Sequence, residues 1–276
     1  MKSLTKILSF LVLLFFTASV AHAEDEAFNR VMKTNTLRCG YITWPPMSQK
    51  NPNTQKMEGL YIEMTEELAR GLGWKVEWVE EVSMADFVAA LNAGRIDMMC
   101  APMAPALQRI KFAYFTTPQF YAPYRAYVRA DEKRFDHKLT AINNPDVTIA
   151  TMEGELTSVV ARTQYPKAKV HEVSSQQGPA QLFQIVTSKK ADVVFMDPFT
   201  FGTFDASNKG VMRGVVGEDV GFFSGGYAIK FGEDKFMWVI NAATQELINR
   251  RYIEQLAKNY HLLEAGIYLP ADGFKK

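Results

Sequence analysis

One pattern, stated twice, restricts the fold of this chain more than any other feature. Residues 91–102 read LNAGRIDMMCAP and residues 186–198 read VTSKKADVVFMDP. Each is the end of a helix, a basic residue, an Asp, a short apolar run and a loop containing Pro. A short apolar strand entered from a helix is half of a parallel crossover unit. The other halves stand upstream. In the first copy, residues 37–42 read as a strand. A helix after Gly59 puts Tyr61, Met64, Leu68 and Leu72 on one face at 3–4 spacing. Trp74, Val76 and Trp78 then alternate with Lys75 and Glu77, the mark of a strand. Ser83 is expected to cap a helix that turns Phe87, Ala90 and Leu91 inward and closes at Gly94. In the second copy, strands are expected at 147–150, 169–173 and 191–196. The helices between them are 157–165 and one opened by Gly178-Pro179, with Leu182, Ile185 and Val186 inward. Two successive β-α-β-α-β runs predict two similar α/β lobes with mostly parallel sheets and right-handed crossovers.

The connections divide the chain. After Tyr121 an extended, alternating stretch leads to charged residues 131–138, and we read it as a crossover out of the first lobe. Residues 221–229 carry Gly221, Gly225 and Gly226 and read as a second crossover. Amphipathic helices follow at 236–249 and 252–260. The expected division is a leader at 1–23, the first lobe at 24–125, the second at 126–220, and a return to the first lobe with C-terminal helices at 221–276. Residues 48–58, with Asn-Pro-Asn, read as a surface loop.

The leader has Lys2 and Lys6, an apolar core over residues 7–20 and an Ala21-His22-Ala23 cleavage site, the form of a secretory signal. Export to the periplasm with cleavage after Ala23 is expected, and Glu24 rather than Cys follows the cut, so no lipid anchor is indicated. No later stretch approaches eighteen consecutive apolar residues. The formal net charge of +1 falls to −1 once Lys2 and Lys6 leave. Such a balance gives no footprint for nucleic acid or an anionic membrane. The two cysteines, Cys39 and Cys100, each fall on a predicted strand of the first lobe. A disulfide and a pair of buried thiols are both open.

A strand that stops at Ala101-Pro102 throws the chain past the C-terminal edge of its sheet, where open α/β folds bind ligands. Arg109 then stands in an apolar surround with Phe112, Tyr114 and Phe115 close behind. It is either a surface Arg whose stem covers apolar side chains or a fork for a carboxylate. Asp197 before Pro198 is a sound helix cap and also a partner for a cationic group. Trp44 is a core-edge aromatic or a face on which a ligand stacks. Glu155 is a first-turn acid favoured by the helix dipole or a cleft residue that favours a cationic ligand. His137, His171 and His261 have no metal-ligand spacing, and no G-x-S-x-G elbow or Gly-rich phosphate loop occurs.

The frame Asp97, Met103, Arg109, Tyr114-Phe115-Thr116, Pro118 and Tyr121 resembles that of the family 3 bacterial extracellular solute-binding proteins, the polar amino-acid receptors of ABC importers. The resemblance covers residues 37–260. It implies a two-lobed periplasmic-binding-protein-like (type II) fold with a two-crossover hinge, the C-terminal helices packed back on the first lobe and the strands of Cys39 and Cys100 side by side. It gives Arg109 to a ligand α-carboxylate and Asp197 to its amino group. Trp44 stands for the aromatic of the family's Y-P-P-F turn, and Tyr41 is a weaker candidate on the same loop. Met103 and Ala104 replace the usual Met-hydroxyl pair before the Arg, so the hydroxyl is lost. At the family's Q-G-[ST]-[ST] segment, Gly154 is kept and Glu155 stands where a hydroxyl is usual. The implied function is an exported receptor that closes on a small amino acid or related amine-bearing acid. It would act as a monomer, without cofactor or metal, and deliver its ligand to an inner-membrane ABC permease. The alternatives are an enzyme on the same scaffold, like cyclohexadienyl dehydratase, using Glu153 or Glu155 for proton transfer, and a ligand-sensing partner of a membrane sensor.

Overall fold

The computed structural model describes residues 25–270, so the leader and its cleavage site lie outside the described residues. Helix α1 (Glu26–Thr34) leads into strand β1 (Thr36–Tyr41). Helix α2 (Leu60–Gly71), β4 (Lys75–Glu81), α3 (Phe87–Asn92) and β5 (Met98–Met103) complete the first β-α-β-α-β run. β1 pairs in parallel with β4 on one side and β5 on the other. The 48–58 loop contains a small hairpin, β2 (Gln49–Lys50) and β3 (Met57–Glu58), which the sequence reading had as loop only. Two-residue strands carry no periodicity to detect.

The second run is β8 (Thr148–Met152), α4 (Leu156–Gln164), β9 (Lys169–Val173), α5 (Ala180–Thr187) and β10 (Val193–Met196). β8 pairs in parallel with both β9 and β10. Helix α6 (Pro198–Ser207) and the short β11 (Met212–Gly214) follow.

Two ten-residue strands join the lobes: β7 (Phe120–Arg129) and β12 (Gly221–Lys230). Their first halves pair with each other, Phe120 opposite Gly225 and Tyr124 opposite Gly221. The second half of β7 then pairs with β10 and β11 in the second lobe. The second half of β12 pairs with β5 and with β6 (Ala113–Phe115) in the first. Each strand therefore belongs to both lobes at once. Gly225 is needed at this crossing, because a Cβ there would stand 2.4 Å from the Phe120 ring.

Burial follows from the predicted faces. Tyr61, Met64 and Leu68 of α2 pack with Leu37, Trp74 and Tyr227 in one core. Helices α7 (Asp234–Asn249) and α8 (Tyr252–Asn259) close that core with Phe236, Ile240, Leu247 and Leu256. A second core runs from Ile42, Met84 and Phe87 to Met152, Leu182 and Phe183, and so joins side chains of both lobes. Cys39 and Cys100 form a disulfide between adjacent strands, with their Cα atoms 5.5 Å apart.

The two Asp residues of the repeated pattern do the same work. Asp97 accepts a hydrogen bond from the Arg38 backbone N–H at 2.7 Å and ion pairs from the Arg30 and Arg38 guanidinium groups. Asp192 accepts from the Thr148 backbone N–H at 2.9 Å and pairs with Arg134. Each acid holds the start of the neighbouring parallel strand. One expected cap moves: α3 is preceded by Asp86, not Ser83. Ser83 still makes its cap bond, one turn ahead of the helix: its hydroxyl accepts from the Asp86 N–H at 3.2 Å and donates to the Asp86 carboxylate at 2.6 Å.

Candidate functional site

The loops at the C-terminal edges of the two sheets meet between the lobes. Trp44, Ala104 and Arg109 from the first lobe and Glu155 and Asp197 from the second line one partly open cavity of about 30 Å³. Met84, Pro102, Leu156 and Phe199 complete its walls, with Tyr124 and Phe223 rising from the two hinge strands. Five sequence-predicted site residues are thus brought together from loops far apart in the chain.

Three others lie outside the lining. Tyr41 ends β1 with its ring set edge-on against Trp78, 6.4 Å between centroids. Met103 ends β5 opposite Gly226 and is fully buried beneath the site. Gly154 faces the first lobe instead of the cavity. Its φ is +74°, and a Cβ on it would stand 2.7 Å from the Ala85 backbone nitrogen. That glycine permits the close approach of the two lobes; it does not bind through a side chain.

Asp197 caps α6. Its carboxylate accepts from the Thr200 N–H at 2.6 Å and from the Thr200 hydroxyl at 2.9 Å. The cap geometry leaves the buried carboxylate in the cavity wall. Burial, with the nearby Glu155 charge, pushes the Asp197 carboxyl up to about 7, against the lowering effect of Thr200. Trp44 reaches across from the first lobe, and its Nε1–H donates to Thr200 Oγ1 at 2.9 Å. Trp44, Thr200 and Asp197 therefore form one hydrogen-bonded chain spanning the two lobes.

Glu155 caps α4 with its own side chain. One carboxylate oxygen accepts from the Thr157 N–H at 2.7 Å and from the Thr157 hydroxyl, and the other accepts from the Tyr124 hydroxyl at 3.1 Å. It is only 6% exposed. Burial raises its pKa, while the Thr157 and Tyr124 donors and the Arg109 charge oppose the rise. First-turn acid and cleft residue are thus one role.

Arg109 lies on a turn held by its own N–H to the Ala106 carbonyl at 2.8 Å. Its guanidinium sits over the Phe87 ring, 5.5 Å from the centroid. Among the described residues it has no carboxylate within ion-pair distance. Burial lowers its pKa, with the Glu155 charge acting the other way. A partly desolvated guanidinium beside an open volume is suited to a ligand anion.

Outside this cavity the cleft widens into a groove of about 1110 Å³, walled by Thr43, Ser83 and Asp86 on one side and Gln176, Gln184 and Thr203 on the other. Trp44 lines the inner cavity and Thr200 the outer groove, so their hydrogen bond stands as the partition.

Sequence reading missed Tyr124 and Phe223, whose rings stack at 4.7 Å. Both lie on extended crossover strands, where alternation says which face a residue takes but not that the face is a binding wall. Phe199 was within reach, being two residues past Asp197 in the first turn of α6.

Residues 37–262 match the family described as bacterial extracellular solute-binding proteins, family 3. The chain belongs to that family. Its fold is the family's two-lobed one, and its class is solute binding in amino-acid transport by ABC importers. A probable histidine-binding protein of Campylobacter jejuni subsp. jejuni is 25% identical over 248 residues, covering 87% of this chain and 90% of the relative. A probable amino-acid ABC transporter-binding protein of Haemophilus influenzae is 34% identical over 106 residues, covering 38% of this chain and 40% of its own length. The crystal structure of the ancestral amino-acid-binding protein AncCDT-1, a precursor of cyclohexadienyl dehydratase, superposes with a TM-score of 0.73. It is 25% identical and covers 84% of this chain and 98% of the ancestral one.

Proposed function

We propose that this solute-binding protein takes a small amine-bearing amino acid in the cavity between its lobes and delivers it to an inner-membrane ABC permease. The observation that carries the reading is the arrangement of Arg109 on one lobe against Asp197 and Glu155 on the other, all lining one cavity. Arg109 supplies a two-pronged donor for a carboxylate, and the acids face the amine. Trp44 and Phe199 supply aromatic walls. The lobes are divided at about residue 125, where β7 changes partners, and again near 220, just ahead of β12, which changes partners after Gly225. The protein acts as a monomer in the periplasm after loss of residues 1–23, and it holds no cofactor or metal.

The ligand leaves chemically unchanged. A dehydratase on this scaffold needs a free acid aimed at the substrate, and both oxygens of Glu155 are engaged by Thr157 and Tyr124. Incubation with prephenate and arogenate is expected to give no aromatic product; product formation at a steady rate would replace the receptor reading with the enzyme one.

The direct test is a thermal-shift screen with amino acids and amines, since a ligand that binds only the native form raises the melting temperature. Hits are then titrated against Arg109→Ala. Leaving a ligand carboxylate unpaired is expected to cost on the order of 2–5 kcal/mol of binding. Wild-type affinity in a folded Arg109→Ala protein removes Arg109 from the site.

A further inference from the structure

We infer that the ligand carries a net positive charge, because the protein's own Glu155 carboxylate fills the anion position at the start of α4 and leaves two acids against one guanidinium. This rests on the reading above that the cavity is the ligand site.

The Thr157 donors at the start of α4 are already used. Thr157 gives both its N–H and its hydroxyl to Glu155, and Tyr124 gives its hydroxyl to the other oxygen. A helix N-terminus is a favourable seat for a carboxylate, and here that carboxylate is covalently part of the chain. A ligand anion has Arg109 left to meet it. The cavity's ionisable groups are then Arg109, Glu155 and Asp197, with Tyr124 as a neutral donor.

Charge balance decides the rest. Placing an uncompensated charge in a site closed to water costs several kcal/mol. With both acids ionised, a zwitterion closes the lobes over a net negative charge, whereas a ligand of net charge +1 closes them over a neutral site. The walls agree, since Trp44 and Phe199 line the cavity and aromatic rings attract cations over their faces. The ligand class is an amino acid or amine with one cationic group more than its anionic groups.

Calorimetry at pH 8 with shape-matched pairs tests this: arginine against citrulline, and lysine against norleucine. The charged member of at least one pair is expected to bind roughly tenfold tighter or more, a gap of about 1.4 kcal/mol. Glu155→Gln is expected to shrink that ratio, and glutamate is expected to bind weakest. If the neutral partners bind as tightly as the charged ones, the charge inference falls while the binding site stands. If neither amino acids nor amines bind, both fall. The wild-type ratio alone decides the matter even if Glu155→Gln does not fold.

Discussion

Stability and the binding role proposed for Asp197 pull in opposite directions. Its cap bonds to Thr200 hold the start of α6, but burial beside Glu155 makes its ionisation unfavourable. A carboxyl whose folded pKa is raised, here from 3.8 to about 7, holds its proton more tightly folded than unfolded. Folding stability therefore falls as pH rises through that window and is flat above it. About three pKa units bound the loss at roughly 4 kcal/mol. Asn caps a helix as well as Asp does. We therefore expect unliganded Asp197→Asn to unfold at higher urea than wild type at pH 8, with the gap closing toward pH 4, and to bind its amine ligand more weakly. A variant less stable than wild type at pH 8 would mean that the buried acid is compensated in the native state. The charged neighbour in this field is Glu155, with the neutral hydroxyls of Tyr124 and Tyr127 beside it. At this scale the sequence announces residues whose chemistry is out of place: an Arg among aromatics, an Asp before a Pro, an acid where a hydroxyl is usual. It does not announce Tyr124, Phe199 or Phe223, because aromatics on strands and helices are ordinary core until the lobes face each other.

The same two acids mark the elements. Asp97 and Asp192 stand before the last strand of each run, and each reaches back to the first backbone N–H groups of the strand beside it. The repetition is visible in the letters, and so is its consequence, two like sets of parallel strands. The structure joins them through β12 and β7 into one continuous ten-stranded sheet where two sheets were expected. What the letters leave out is pairing beyond the crossover units. The β7 and β12 strands read as extended, but the change of partners halfway along each is a tertiary fact. β11, of three residues, is likewise fixed by its neighbour β7 and not by its own pattern. The disulfide was open for a related reason, since it depends on β1 lying next to β5. It closes a loop with sequence separation 61 inside the first lobe, joining cysteines that are fully buried. The loop-entropy model assigns such a link about 4 kcal/mol. Cys39→Ala/Cys100→Ala is thus expected to lower the unfolding free energy from urea titration by up to that amount while leaving ligand affinity within a few-fold of wild type. Identical unfolding curves would show that the core around Leu37 and Met98 holds these strands without the bond.

The molecule as a whole is two jaws on a paired-strand hinge, and ligand capture requires them to meet. Two contacts across the gap define the closed form: the Trp44 N–H on Thr200, and the backbone of Gly154 against Ala85. Hinge closure about a ligand is the usual motion of such two-domain receptors. A side chain at position 154 separates folding from closing. The strands of both lobes form one continuous ten-stranded sheet joined through β12 and β7, so opening the gap flexes it at the hinge and leaves the pairing within each lobe intact. In the open form an alanine at 154 meets only the strain of its left-handed backbone, about 1 kcal/mol. In the closed form its Cβ falls 2.7 Å from the Ala85 nitrogen, a backbone atom that cannot move aside cheaply. The binding-competent state is then less populated, and apparent affinity drops in proportion. We expect Gly154→Ala to keep a cooperative unfolding transition, to bind at least roughly tenfold more weakly, and to show in small-angle scattering a radius that shrinks less on adding ligand. Wild-type affinity together with wild-type compaction would show that ligand capture does not need the two backbones to touch, and would leave the hinge without the role given to it here.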